Sequence, residues 1–194
     1  MQSGSNLYFI AIIPPEPIYS DIKEFQKYFA DKYNSKEALK RPSHITLIPP
    51  FEQHPSQEAA LITFTENFAS KRKNFELSVE GFGSFTVGVI YAALEKNVTL
   101  KKLQKELALS FYTNVRVPGG RGGLPFNAHM TVAFKDLSPL KFPDAWREFS
   151  TKLYRRKWMI GSLCLLRHNY KEWEIIKHAE LKGEGIGETM ELGF

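Results

Sequence analysis

Ser43-His44-Ile45-Thr46-Leu47-Ile48 and, with its histidine 85 residues further on, Ala128-His129-Met130-Thr131-Val132-Ala133-Phe134 decide how this chain reads. Each segment carries His-x-Thr-aliphatic inside a short apolar run, the pattern of a strand. Residues i and i+2 of a strand share a face. Each imidazole therefore has a threonine hydroxyl beside it, while Ile45 and Met130 turn the other way into apolar packing. With five His and nine Thr among 194 residues, two His-x-Thr strings arise in roughly two per cent of shuffled sequences, on composition alone.

The elements around the two motifs follow the same order. Leu7–Ile13 reads as a buried strand stopped by the PPEP turn. Ile18, Ile22, Phe25 and Phe29 fall at helical spacing and predict an amphipathic helix over 17–33. The first motif strand, 43–48, is expected to stop at Pro49 and Pro50. A helix near 56–70, an alternating strand at Phe75–Val79 and a hairpin partner at 89–95 complete the first half. In the second half, Leu100, Leu103, Leu107 and Phe111 mark a helix over 98–113, followed by the motif strand at 128–134. Trp146, Phe149 and Leu153 predict a helix over 142–155, and strands at 159–166 and 173–181 close the chain. The expectation is one domain over 1–194, with pseudo-repeat halves at roughly 7–95 and 96–182 and a C-terminal tail at 183–194. Its class is α+β, with two antiparallel-rich sheets and helices on their outer faces.

Composition excludes several functions. At 43% apolar and 24% charged residues the chain is globular in character, and the front run LYFIAII is only seven residues long. A membrane helix needs roughly 20. With no basic stretch before that run and no small-residue cleavage site after it, a signal peptide is not expected, and the location expected is cytoplasmic. The single cysteine, Cys164, excludes a disulfide framework and a cysteine-based metal knuckle, and it reads as core. Neither HxH nor HExxH occurs, so no metal and no cofactor are expected. PGGRGGLPF (118–126) has neither Walker-A nor dinucleotide-fingerprint spacing, so ATP and NAD are not supported. The net charge of +5 leans toward polyanions such as RNA or nucleotides. The nearest thing to a basic block is Arg155-Arg156-Lys157. His54, His168 and His178 read as surface or structural, since none has a threonine two residues later.

Two imidazoles facing one cleft suit acid–base chemistry. Histidine, with an ordinary pKa of about 6.5, allows one copy to be neutral while another is protonated. The neutral ring takes a proton from an attacking water or hydroxyl, and the protonated one donates to the leaving oxygen. The paired threonine hydroxyls can hold the non-bridging oxygens of a phosphodiester as charge grows on them.

HITL and HMTV, one in each half of a duplicated α+β chain of this length, resemble the signature of the 2H phosphoesterase superfamily. Its members include the 2′-5′ RNA ligases, which are RNA 2′,3′-cyclic phosphodiesterases. The resemblance implies a bilobal fold whose two sheets face a central cleft, with His44 and His129 as the catalytic acid–base pair and Thr46 and Thr131 binding phosphate. It also implies a metal-independent hydrolase acting on a 2′,3′-cyclic phosphate of an RNA or nucleotide end, with 2′-5′ ligation as its reverse.

Two departures stand out. Relatives often continue the second motif with Ala-Arg where this chain has Ala133-Phe134-Lys135, so that an arginine contact is missing or is replaced by Lys135 or another basic residue. The first motif runs on as IPPF, which looks more like the less characterised bacterial branch. Further candidate substrate contacts are Arg41, beside Lys40 before the first motif, and Phe51 and Tyr91 as a base-stacking wall. Arg121 and Phe126 in the glycine-rich segment complete the set. A different class of reading is a non-catalytic RNA- or nucleotide-binding module that keeps the cleft, and a third is an unrelated α+β domain with a coincidental histidine pair. Nothing in the sequence sets the oligomeric state; a monomer is the default, and no membrane partner is expected.

Overall fold

The computed structural model describes residues 4–117 and 125–183. In chain order the elements are β1 (Asn6–Ile12), α1 (Ile18–Tyr33), β2 (Ile45–Gln53), α2 (Glu58–Ala69), β3 (Phe75–Thr86) and β4 (Val89–Leu94). They continue with α3 (Val98–Asn114), β5 (His129–Ala133), α4 (Phe142–Phe149), β6 (Arg155–Ile160), β7 (Ser162–His168) and β8 (Trp173–Glu180). The strands form two antiparallel four-stranded sheets, ordered β2-β1-β7-β8 and β5-β4-β3-β6. The class is α+β, as the sequence predicted. None of the described helices is long and apolar enough to cross a membrane.

Neither sheet is built from one half of the sequence. The first pairs β1 and β2 with β7 and β8, and the second pairs β3 and β4 with β5 and β6. The helices cross over as well: α1 packs on β5, α3 on β2, α2 on β7 and β8, and α4 on β3. As a result the two motif strands are edge strands of different sheets, and they lie against each other.

Burial explains why β1 reads as an unbroken apolar run. Tyr8, Ile10 and Ile12 enter the main core with Leu163 and Leu165. Phe9 and Ala11, on the opposite face, form a smaller cluster with Cys164, Leu166, Ile13 and Trp173. A strand buried on both faces has no polar side to show. The helices contribute single stripes: Ile18, Ile22, Phe29, Ala30 and Tyr33 from α1, and Leu100, Leu103, Leu107 and Phe111 from α3. Asn97 caps α3, its side chain accepting from the Leu100 amide at 2.9 Å.

Three sequence expectations are corrected. β2 does not stop at Pro49 and Pro50 but runs to Gln53, with a register shift opposite the prolines, where Tyr8 pairs with Phe51 and Ile10 with Ile48. An edge strand tolerates residues that cannot donate to a ladder, because one side has no partner. The fourth helix ends at Phe149 instead of 155, and Leu153 is 86% exposed, not on a buried stripe. The segment after it is recruited as β6 by pairing with β3, which buries Trp158 and Ile160 at strand spacing. The strand expected at 159–166 is thereby split at Gly161 into β6 and β7, which belong to different sheets. The basic block falls on β6 and is neutralised by carboxylates of β3 and α1: Arg155 pairs with Glu80, Lys157 with Glu76, and Arg156 with Asp21 of α1.

Candidate active site

Strand alternation turns the motifs inside out in the same way in both halves. Ile45, Leu47, Met130 and Val132 are at most 1% exposed, in the core. His44, Thr46, His129 and Thr131 are half-buried on the other face and line one cleft of about 260 Å³. Gln26, Ala38, Arg41, Phe85, Val89 and Phe134 complete its wall. A larger groove of about 910 Å³ runs between α2 and α3, but its walls are amides and apolar residues with Thr63 and Arg116 and carry no acid–base pair.

The two imidazoles are held alike. Nδ1 of His44 lies 2.7 Å from the Pro42 carbonyl, and Nδ1 of His129 lies 2.7 Å from the Asn127 carbonyl. A carbonyl only accepts, so each Nδ1 carries the hydrogen and each Nε2 is left as the free nitrogen. Aromatic rings pack on both. Phe9 lies 5.0 Å from His44, while Phe85 meets His129 edge-on at 4.7 Å and Tyr91 lies 5.3 Å away.

Electrostatics separate the pair. Burial pushes His44 down to about 4; the Pro42 bond opposes this, while Arg41, His129 and Lys23 add to it. His129 is also lowered by burial, against its bond to Asn127, and no cation contributes. Both rings are therefore largely neutral at pH 7. The expectation of one neutral and one protonated ring thus needs the charge of a bound ligand.

Residues 14–172 match the 2′-5′ RNA ligase superfamily. The chain belongs to this family. No curated protein matches it in sequence, but solved structures share its fold. TT0787 of Thermus thermophilus has a TM-score of 0.66 at 18% identity, over 93% of this chain and 100% of that one. LigT of E. coli, crystallised with 3′-AMP, gives 0.60 at 17%, over 91% and 98%. A structure described as a phosphoesterase gives 0.59 at 17%, over 91% and 98%. Membership makes this chain one of a family of enzymes acting on phosphodiester bonds.

As a 2′-5′ RNA ligase family member the chain lacks the second-motif arginine, and the structure shows which cation stands nearby. Lys135 is exposed, has φ +70° and does not line the cleft. Arg41 does, with its guanidinium carbon 5.3 Å from the centre of the Phe134 ring. Among the described residues no carboxylate pairs with it. Lys40 turns away to Glu37. Phe51 is 6% exposed and packs on Tyr8 and Phe111, because it shares the core-facing side of β2 with Ile45 and Leu47. It has no face free for a base. Phe126 likewise packs against the main core. Tyr91 stacks on Phe85 at 4.3 Å, and Arg121 lies outside the described residues.

Other residues at the cleft escaped the sequence reading. Lys23 of α1 donates to the carbonyls of Leu39 and Arg41 at 2.9 and 2.8 Å, fixing the turn that carries Arg41. Gln26, one turn further on, donates to the Thr131 carbonyl. Asp136, just past the second motif, accepts from Ser35 Oγ and from the amides of Lys36 and Glu37, tying that motif to the approach to the first. Their only sequence signal is a polar residue on the otherwise apolar stripe of α1, at Gln26. Among the remaining histidines, His54 bonds Ser56, His168 accepts from the Tyr170 amide, and His178 Nδ1 lies 3.3 Å from Cys164 Sγ. Cys164 is 1% exposed, and burial pushes its thiol up to about 11. That is the behaviour of a core residue, not of a nucleophile.

Proposed function

We propose that the protein hydrolyses a 2′,3′-cyclic phosphate at an RNA or nucleotide end, with His44 as general base and His129 as general acid. The observation that carries this reading is the matched pair of imidazoles on one cleft, each tethered through Nδ1 to a carbonyl two residues upstream and each left with a free Nε2. His44, flanked by Arg41 and Lys23, stays neutral and takes a proton from the attacking water. His129, once protonated on phosphate binding, donates to the leaving ribose oxygen. The water oxygen bonds to phosphorus as the P–O(ribose) bond breaks, and the two rings then re-exchange protons with solvent. The hydroxyls of Thr46 and Thr131 and the guanidinium of Arg41 receive the non-bridging oxygens. Phe85 and Tyr91 offer an aromatic wall beside His129 for a base. LigT, which shares the fold, has been crystallised with 3′-AMP, a nucleotide of the kind this reaction would yield. Run backwards, the same proton transfers would join RNA ends through a 2′-5′ linkage.

The test is hydrolysis of a 2′,3′-cyclic nucleotide and of a cyclic-phosphate-ended oligoribonucleotide in EDTA, with products resolved into 2′- and 3′-phosphates. Turnover is expected for the unmodified protein, falling by about 10²–10⁴ in His44→Ala and in His129→Ala. Binding without turnover in the unmodified protein would favour a nucleotide-binding module instead. Arg41 on Phe134 weakens that alternative, since the absent second-motif arginine was its main support.

A further inference from the structure

Gln26 stands at the cleft with half of its amide unused. It is 3% exposed, and its Nε2 donates to the Thr131 carbonyl at 2.9 Å. Because that carbonyl can only accept, the amide orientation is fixed: nitrogen to β5, oxygen away from it. Oε1 is buried, has no donor among the described residues, and belongs to a side chain that lines the cleft. Folded proteins rarely leave a buried acceptor unmet, and exceptions point to a ligand or a function.

The chemistry of the cleft restricts what that donor is. An ionised phosphodiester carries acceptors only, so the phosphate itself cannot satisfy Oε1. Neutral His44 and His129 have committed their N–H groups to Pro42 and Asn127. The donor that appears during the reaction is the ribose hydroxyl, created when the cyclic phosphate opens and the leaving oxygen takes a proton. Gln26 is bonded to Thr131, which shares a strand face with His129, and its side chain lines the same cleft as that ring, where the hydroxyl forms.

We infer that Gln26 Oε1 accepts a hydrogen bond from the ribose hydroxyl next to the phosphate, making Gln26 a specificity residue for ribonucleotide products and ends. This rests on the phosphodiesterase reading above and adds a sugar-recognition role on a helix outside both motifs. The same side chain holds the Thr131 backbone, so one residue couples sugar recognition to the placement of the phosphate-binding strand.

Binding measured by calorimetry separates this from a structural role. The probes are adenosine 2′- and 3′-monophosphate, each with one free ribose hydroxyl beside the phosphate, and 2′-deoxyadenosine 3′-monophosphate, which has none there. The unmodified protein is expected to bind the better ribonucleotide about tenfold more tightly than the deoxynucleotide, the worth of one hydrogen bond. Gln26→Met should bind both alike: loss of the Thr131 tether weakens the two ligands together, and loss of Oε1 removes the tenfold preference between them. Loss of the Thr131 tether alone would weaken both ligands equally and leave the preference intact, which overturns the inference. So does an unmodified protein that binds both ligands equally while still opening the cyclic phosphate, the result expected if Oε1 instead serves the attacking water. No binding of any nucleotide, together with no hydrolysis, would reject the phosphodiesterase reading itself and this inference with it. If Gln26→Met does not fold, Gln26→Asn, one methylene shorter, provides the same comparison.

Discussion

Acidification should cost this fold more through His44 than through an ordinary histidine. In the native state burial, with Arg41, His129 and Lys23 nearby, holds its pKa at about 4, while an unfolded chain titrates near 6.5. Below pH 6.5 the unfolded chain takes up a proton that the native site refuses. Stability therefore falls as the pH falls, and the loss levels off below about 4. At about 1.4 kcal/mol per pKa unit the gap amounts to about 3 kcal/mol in full. By linkage, roughly 1 kcal/mol is lost between pH 7 and 5.5 and about 2.5 kcal/mol by pH 4.5. Urea unfolding of the unmodified protein and of His44→Gln at pH 7, 5.5 and 4.5 measures this directly. Titrating groups that do not interact with His44 contribute to both proteins and cancel in the difference; the His129 repulsion is a minor part of the His44 shift beside burial. The unmodified protein should lose about 2.5 kcal/mol more than the variant between pH 7 and 4.5. Parallel pH dependences would refute the reasoning, because His44 would then not be desolvated in the native state.

The dependence of kcat/KM on pH for a cyclic nucleotide should be a bell with its optimum on the acid side of neutrality. Its acid limb follows His44 near 4, and its alkaline limb follows His129 below the ordinary histidine value; a rate rising steadily from pH 5 to 9 would contradict the assignment. Thr46→Val and Thr131→Val should each lower kcat by about 10²-fold while melting close to the unmodified protein, since both side chains are half-buried at the cleft. Gly83→Ala places a Cβ 2.6 Å from Tyr91 ring atoms; a melt should show about 1–3 kcal/mol of destabilisation, and displacement of Tyr91 from Phe85 and His129 should raise KM. Asp136→Ala removes the acceptor of three hydrogen bonds that join the approach to the first motif to the end of the second. It should cost about 2 kcal/mol in urea unfolding and lower turnover of a chain whose histidines are themselves unchanged.

Much of the site was legible because it depends on local periodicity. Period two places His44 with Thr46 and His129 with Thr131 whatever the strands pair with, and the burial of Ile45, Leu47, Met130 and Val132 follows from the same rule. The helical stripes of α1 and α3 were readable for the same reason. Phe51 shows the limit: it lies opposite Tyr8 on the core side, beyond two register shifts that period two does not foresee, while its closeness in sequence to the motif suggests a ligand contact. Pro49 and Pro50 show another, since whether a proline ends a strand depends on whether that strand lies at an edge.

Sequence by itself determined the α+β class, the two His-Thr faces and the absence of a cysteine framework, because these follow from residue type and from spacing within a few positions. Tertiary structure decided which cation lines the cleft, that Lys23 and Gln26 of α1 brace the two motifs, and that Asp136 ties them together. It also decided that His44, more than His129, is held neutral. These contacts join residues separated by about 15 to 105 positions. The distances and desolvation that set them exist only once β2 and β5, edges of two different sheets, have been brought side by side.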